Sequence, residues 1–521
     1  MRFLTRHPIP LPAVAAAAAL CLAAAAPRAQ DLQLDVVGGS TPGTLSFDVH
    51  PGAFPFELAL VVPSFLPGPT PVAVFDPADP RSLDIGLEML SAAWLGSMGL
   101  DGHWRAGPFA MGAAPGFQDL PIRFQAVTLA GWPTLLNRIS NPNQIRLANA
   151  GQFRDRLVSF YDDRAFATVL PRADRTWMVV GGGRGGLLSQ TAHRTTSIYD
   201  PRTDTCQFGP QLTTPRSLHA VTQLPDGRWL VSGGVDQFND PQALCEIYDP
   251  AADTFTACAP MLVPRMGHTA TLLANGKVLV TGGLQAMTVT PTALSAVRDA
   301  TNATELYDPV ANTWAAGPNL RTPRAAHFAI QRPDGRVLLA GGISWDNVII
   351  VGWLPAVRSS TDLYDPVANT IGAGPSMASS RSMIEPIALG NDRWLVAGGI
   401  SSLTLTNLGT PTNTAEIYNA AANTWTTVGA MATARGNHQG WALGGGRYLL
   451  AGGANGTILG PVPLQTTEIF NTATNAFTAG PPMSMARAGA AKFATPQGQV
   501  QLFGGASAGG GATNSTEWYY F

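Results

Sequence analysis

A chain of 521 residues is long for one compact core, so two domains or a repeat architecture must absorb the length. Only 13% of the residues are charged and the formal net charge is −2, which leaves no electrostatic footprint for nucleic acid. The 56 glycines and 42 prolines are turn chemistry, expected where many short strands are joined.

The chain opens with a targeting pattern. Arg2 and Arg6 precede "LPAVAAAAALCLAAAA" (11–26), an apolar run ending in small residues. This predicts a signal peptide over 1–29, cut between Ala25 and Gln30. Pro12 and the alanine content make the run a poor membrane span, and no second one follows. Leu20 is bulky where lipidation at Cys21 would need a small residue. The expectation is a secreted or periplasmic monomer without an anchor.

Residues 31–150 do not repeat. "LQLDV" (32–36), "LSFDV" (45–49) and "FELALVV" (56–62) alternate apolar and polar residues between Gly-Pro turns, which predicts a β-sandwich domain. Helix is conceivable only at "LDIGLEMLSAAWL" (83–95).

From residue 151 one unit recurs at a period of about fifty residues. A glycine pair ends an apolar strand at Gly181-Gly182, Gly233-Gly234, Gly282-Gly283, Gly341-Gly342, Gly398-Gly399, Gly452-Gly453 and Gly504-Gly505. An arginine precedes each pair: Arg164, Arg216, Arg265, Arg324, Arg381, Arg435 and Arg487. An aromatic follows each: Tyr199, Tyr248, Tyr307, Tyr364, Tyr418, Phe470 and Tyr519. Trp314 and Trp425 stand seven residues beyond their tyrosines, as in "ELYDPVANTW" (305–314). Each unit reads as four short strands; in the fourth copy they are 325–331, 336–342, 360–366 and 369–375. One four-stranded sheet cannot bury both faces, so copies must stack, with the large aromatics between them. The last copy stops at its third strand, so the spare segment 151–163 is expected to complete its sheet.

Glycine pair, tyrosine and later aromatic together resemble the kelch repeat. The resemblance covers 151–521 and implies an all-β fold: a seven-bladed kelch-type β-propeller preceded by a β-sandwich domain. Ile371 and Cys206 depart from the pattern at the later aromatic.

Four residue sets invite a chemical reading. The register that sets Tyr248 opposite Phe255 also sets Cys245 opposite Cys258, a candidate disulfide, with Cys206 left as a small apolar residue. His219, His268, His327 and His438 recur three residues after the arginine, as a metal cluster or as part of the strand pattern; no carboxylate recurs beside them, which favours the pattern. The seven arginines either hold an anion or bond loop carbonyls, and their presence in every copy favours the carbonyls. The longest loops are 284–303 and 343–360. The second is unusually apolar and either binds a partner or folds onto its own blade. If it binds, Trp345 and Trp353 are the anchors and Arg324 or Arg381 stands at the rim.

No nucleophile with its base, metal spacing or phosphate loop stands out. The leading reading is a secreted, non-catalytic propeller, without cofactor, that binds an extracellular protein or glycan. The alternative is an enzyme, a copper-radical oxidase similar to galactose oxidase or another carbohydrate-active protein. That resemblance implies two tyrosines, two histidines and a tyrosine-linked cysteine around copper, one histidine coming from a further C-terminal domain. No such domain follows the repeats here, and only Cys206 beside a tyrosine is available as a substitute.

Overall fold

The computed structural model describes residues 32–520 apart from single residues and short segments. The segments of five residues or more are 51–56, 73–80, 112–119, 130–135, 186–190, 287–298 and 404–408. The segment 1–29, expected to be a signal peptide, and most of the loop 284–303 lie outside the described residues. The chain divides into two units, Met1–Leu147 and Ala148–Phe521.

Among the described residues of the first unit, alternation builds two larger antiparallel sheets, beside a two-stranded one of Pro67–Pro71 and Ser82–Ile85. One orders Gln33–Val37, Gly43–His50 and Trp104–Met111; the other orders Leu136–Ile139, Pro121–Leu129, Leu58–Ser64 and Trp94–Ser97, with Asn143–Arg146 also on Pro121–Leu129. Leu34, Phe47 and Val49 from one sheet share a core with Val61, Phe124 and Ala126 from the other. The segment 83–95 is not a helix. It holds the strand Ser82–Ile85, a short 3-10 turn at Leu90–Ala92 and the start of Trp94–Ser97. Leu83 and Ile85 are buried while Ser82 and Asp84 are exposed, a two-residue period that suits a strand.

The second unit contains seven four-stranded antiparallel sheets. In the fourth the strands are Phe328–Gln331, Val337–Ala340, Thr361–Asp365 and Thr370–Ala373. The seventh takes its outer strand from the start of the unit: Gln152–Asp155 pairs antiparallel with Thr516–Tyr520, Phe153 opposite Tyr519. Phe153 is buried between Tyr519 and Trp441, ring centroids 5.0 and 6.2 Å away. Among the described residues no helix is long and apolar enough to cross a membrane.

The structure explains why ten residues recur. Tyr307 pairs with Trp314 across the turn, rings 4.9 Å apart, and the Trp314 indole N–H donates to Ala259 O of the preceding segment at 2.7 Å. The tyrosine hydroxyl donates to the residue five positions on, at 2.7–3.1 Å for Tyr199, Tyr248, Tyr307, Tyr364 and Tyr418. Those acceptors, Asp204, Asp253, Asn312, Asn369 and Asn423, all have φ near +50°, where Asn and Asp are tolerated best. Asp308 accepts the N–H groups of Val310 and Ala311 and so shapes the turn. Each residue type has its own polar task.

Cys245 stands opposite Cys258, as the register required, but both are free thiols. Cys206 faces Tyr199, and burial pushes its thiol up to about 11. With oxidised glutathione as acceptor of two electrons, peptide mapping without reductant is expected to link Cys245 to Cys258 and leave Cys206 free. The closed loop is short, so the gain is about 2–3 kcal/mol at most. A bridge containing Cys206 would refute the pairing.

Candidate functional site

The seven arginines are buried, each within its own copy of the repeat. Each is at most 1% exposed. Arg381 is typical: its Nη1 donates to Gly398 O at 2.8 Å and Thr414 O at 3.1 Å, and Nη2 meets Glu416 at 2.8 Å. Arg324 repeats this with Gly341 O, Ser360 O and Asp362. Burial lowers the Arg381 pKa and the Glu416 carboxylate opposes that shift. The carboxylate stands two residues before the aromatic (five tyrosines and Phe470) in six copies; in the first, where Ser197 takes that place, Asp162 pairs with Arg164 at 3.1 Å. Arg324 and Arg381 therefore do not stand at a ligand-facing rim. A charged group in a dry interior survives only when paired, which is why the arginine and its acid recur together. Replacing Arg381 by Leu leaves the buried Glu416 with only the Ala378 and Ser379 N–H groups and no cation, and is expected to cost about 3–5 kcal/mol, read as a lowered melting temperature; Arg381→Leu with Glu416→Leu recovers part of it.

His268, His327 and His438 are buried too, and His219 is half-buried. Gly282 has φ +60°, and a Cβ there would lie 2.3 Å from Arg324 O and 2.9 Å from the His327 ring, both in the next copy. The glycine pair thus makes room for the neighbour's arginine carbonyl and imidazole. His327 Nε2 lies 2.9 Å from Thr281 Oγ1, and His268 Nε2 lies 3.0 Å from Ser232 Oγ. Burial pushes His219, His327 and His438 down to about 3 and lowers His268 strongly. They are neutral wall residues.

One residue before each histidine position lies the axis. Phe166, Leu218, Gly267, Ala326, Met383, Asn437 and Gly489 all have φ between 49° and 59°. Six backbone bonds of 2.8–3.1 Å run between them, from Phe166 N to Gly489 O and on through Asn437, Met383, Ala326 and Gly267 to Leu218 O. Five are not glycine, and left-handed backbone at such residues costs about 1–2 kcal/mol each. On one side lies a channel of about 330 Å³, lined by the four histidines, Thr168, Gln439 and Glu385. Glu385 is held 2.9 Å from Lys492. On the other side lies the mouth. Its first half is covered: Val235, Met266, Leu284, Ala325, Ile343 and Leu403 form an apolar cluster with part-buried Trp345 against it. Its second half is an apolar cleft of about 60 Å³ between Phe166, Met383, Ile400, Ala454, Pro461 and Pro463, with Asn437 and Asn455 in its wall.

The loop 343–360 is a hairpin, Ile343–Val348 against Gly352–Val357. Trp345 rests on the mouth cluster instead of projecting as a free anchor. Trp353 pairs with Asn347 in the hairpin backbone. The structure brings Trp345 to the mouth and keeps Arg324 and Arg381 behind it. Sequence reasoning missed the axial residues because equivalent positions carry different types, and missed the acids although each stands inside the recurring motif.

No protein-family model matches the chain, and no curated protein matches it. Among solved structures, one of a fungal alcohol oxidase of the AA5 family, in complex with copper, superposes with a TM-score of 0.54 at 16% identity, over 71% of this chain and 76% of that one. The structure of YjhT superposes with a TM-score of 0.43 at 14% identity, over 59% of this chain and 95% of that one. The likeness to the oxidase is one of fold: an all-β chain of many antiparallel sheets, of the β-propeller kind.

Proposed function

We propose that the protein is exported and binds an extracellular protein or glycan at the mouth cleft. The observation that carries this is the row of strained axial residues, which sets Phe166, Met383 and Asn437 into an apolar recess at the centre of the seven sheets. Backbone strain of this sort concentrates where function requires it. The recess holds about 60 Å³, roughly two waters' worth, so it takes one small apolar group of the partner, with amides beside it. Asn455 and Pro461 are exposed at the cleft. Asn455→Arg with Pro461→Arg is expected to abolish capture from immobilised glycans and from the native extracellular mixture, with the melting temperature unchanged. Undiminished capture by the double variant would refute the site.

A second reading, a copper-dependent alcohol oxidase, is favoured by the fold likeness to the fungal enzyme. The donor set does not fit it. None of the described tyrosines and cysteines lines the channel or the cleft, and two of the four channel histidines are held by hydroxyls, His268 by Ser232 and His327 by Thr281. The test is oxygen consumption with primary alcohols after loading with Cu²⁺. Turnover would install the enzymatic reading in place of the binding one.

A further inference from the structure

We propose that the outer face of the three-stranded sheet in the first unit is a site for a late first-row divalent ion such as Zn²⁺, held by His50, His103 and Asp48. The inference is independent of the function assigned to the propeller. It begins with alternation. Leu34, Phe47 and Val49 face the core, so Asp35, Asp48 and His50 project from the other side of their strands. The register sets Asp48 opposite both Asp35 and Arg105, and Val49 opposite Trp104, which carries His50 to His103. The two imidazoles stack with centroids 4.6 Å apart. His103 Nδ1 lies 2.9 Å from Asp48 Oδ1, and His50 Nε2 lies 3.1 Å from Asp35 Oδ2. One ligand atom from each of Asp48, His50 and His103 falls within 4.8 Å of the others. Bonds of about 2.0–2.1 Å to zinc need those atoms slightly closer, within reach of small side-chain rotations.

The chemistry selects the ion class. Two imidazole nitrogens with one carboxylate suit zinc, copper or nickel better than calcium or magnesium, which prefer oxygen alone. Asp35 is placed to orient His50 by accepting its second ring N–H, an arrangement usual for metal-bound histidine. Arg105 lies 3.4 Å from Asp48 through Nε and 2.7 Å from Asp101 through Nη1, so its charge is shared with a carboxylate outside the set. On binding, neutral His103 turns its Nδ1 lone pair to the ion and keeps its single ring proton on Nε2, and no electron moves. Three protein ligands leave a position for solvent.

The test is calorimetric titration of Zn²⁺ into the full chain, free of any histidine tag, with Ca²⁺ as control. One equivalent of zinc and no calcium is expected, with affinity falling at least tenfold in His50→Ala with His103→Ala. Melting without metal should remain cooperative in both proteins, and added zinc should raise it only in the unaltered chain. Should the double variant fail to fold, Cu²⁺ bound to the unaltered chain provides the readout, since its paramagnetic resonance spectrum should show coupling to two nitrogens. Absence of zinc binding, unchanged affinity in a folded double variant, or a copper spectrum without nitrogen coupling would each overturn the site. The same variant separates this ion from any copper held by the propeller, which it would leave in place.

Discussion

Deleting Gln152–Asp155 should remove the cooperative melting of the seven-sheet unit at its usual temperature. The strand carries the edge pairing of Thr516–Tyr520, so its loss strands a row of backbone donors and acceptors in a buried sheet. It also removes Phe153 from between Tyr519 and Trp441. Phe153→Ala alone is expected to cost about 3–5 kcal/mol, and the deletion more. Val310→Ser, at a side chain 97% exposed in a turn, is the control and should change nothing measurable. A deletion protein that melted like the intact chain would show that the terminal strand does not hold the last sheet.

Acid should unfold the same unit. His219, His327 and His438 titrate at about 3 in the folded chain and His268 well below its ordinary value, because burial disfavours the charged ring. Unfolding returns each to about 6.5, so below that pH the unfolded chain holds protons that the folded chain refuses. Stability therefore falls as the pH drops from 6.5 towards 3, and these groups contribute no slope above 6.5. Each histidine adds about 1.4 kcal/mol per pH unit once its unfolded form is fully protonated. Melting temperatures at pH 7.5, 5.5 and 4.5 should decline steeply, and His219→Leu should reduce the dependence by about one proton. A flat profile between 6.5 and 4.5 would mean that the rings are protonated in the folded protein.

The repeat made most of the fold legible, because each mark sits where backbone geometry allows few substitutes. Gly282 has no room for a Cβ, and Tyr307 needs Asn312 at a fixed distance in sequence. The segment 83–95 was harder, since a helical and a strand pattern overlap over so short a stretch until Leu83 and Ile85 find a core. The site was least legible. Arg381 and a surface arginine look alike in sequence, and the difference lies in Glu416, thirty-five positions away and brought close only by the sheet. In sequence Trp345 could project to a partner or fold onto its own blade, and only the fold shows the cluster it covers. His50 and His103 become neighbours through a strand pairing that spans most of the first unit.

The axial bonds are made by main-chain groups, so they do not depend on which side chains stand at that level. Arginine is the same in all seven copies, yet the axial positions read Phe, Leu, Gly, Ala, Met, Asn and Gly. A rotationally repeated frame is in this way released from its own symmetry. One sector of the opening presents a ring, another an amide and a third nothing at all. Exchanging residues at this level would re-address the opening while every strand, buried ion pair and aromatic wedge around it stayed where it is.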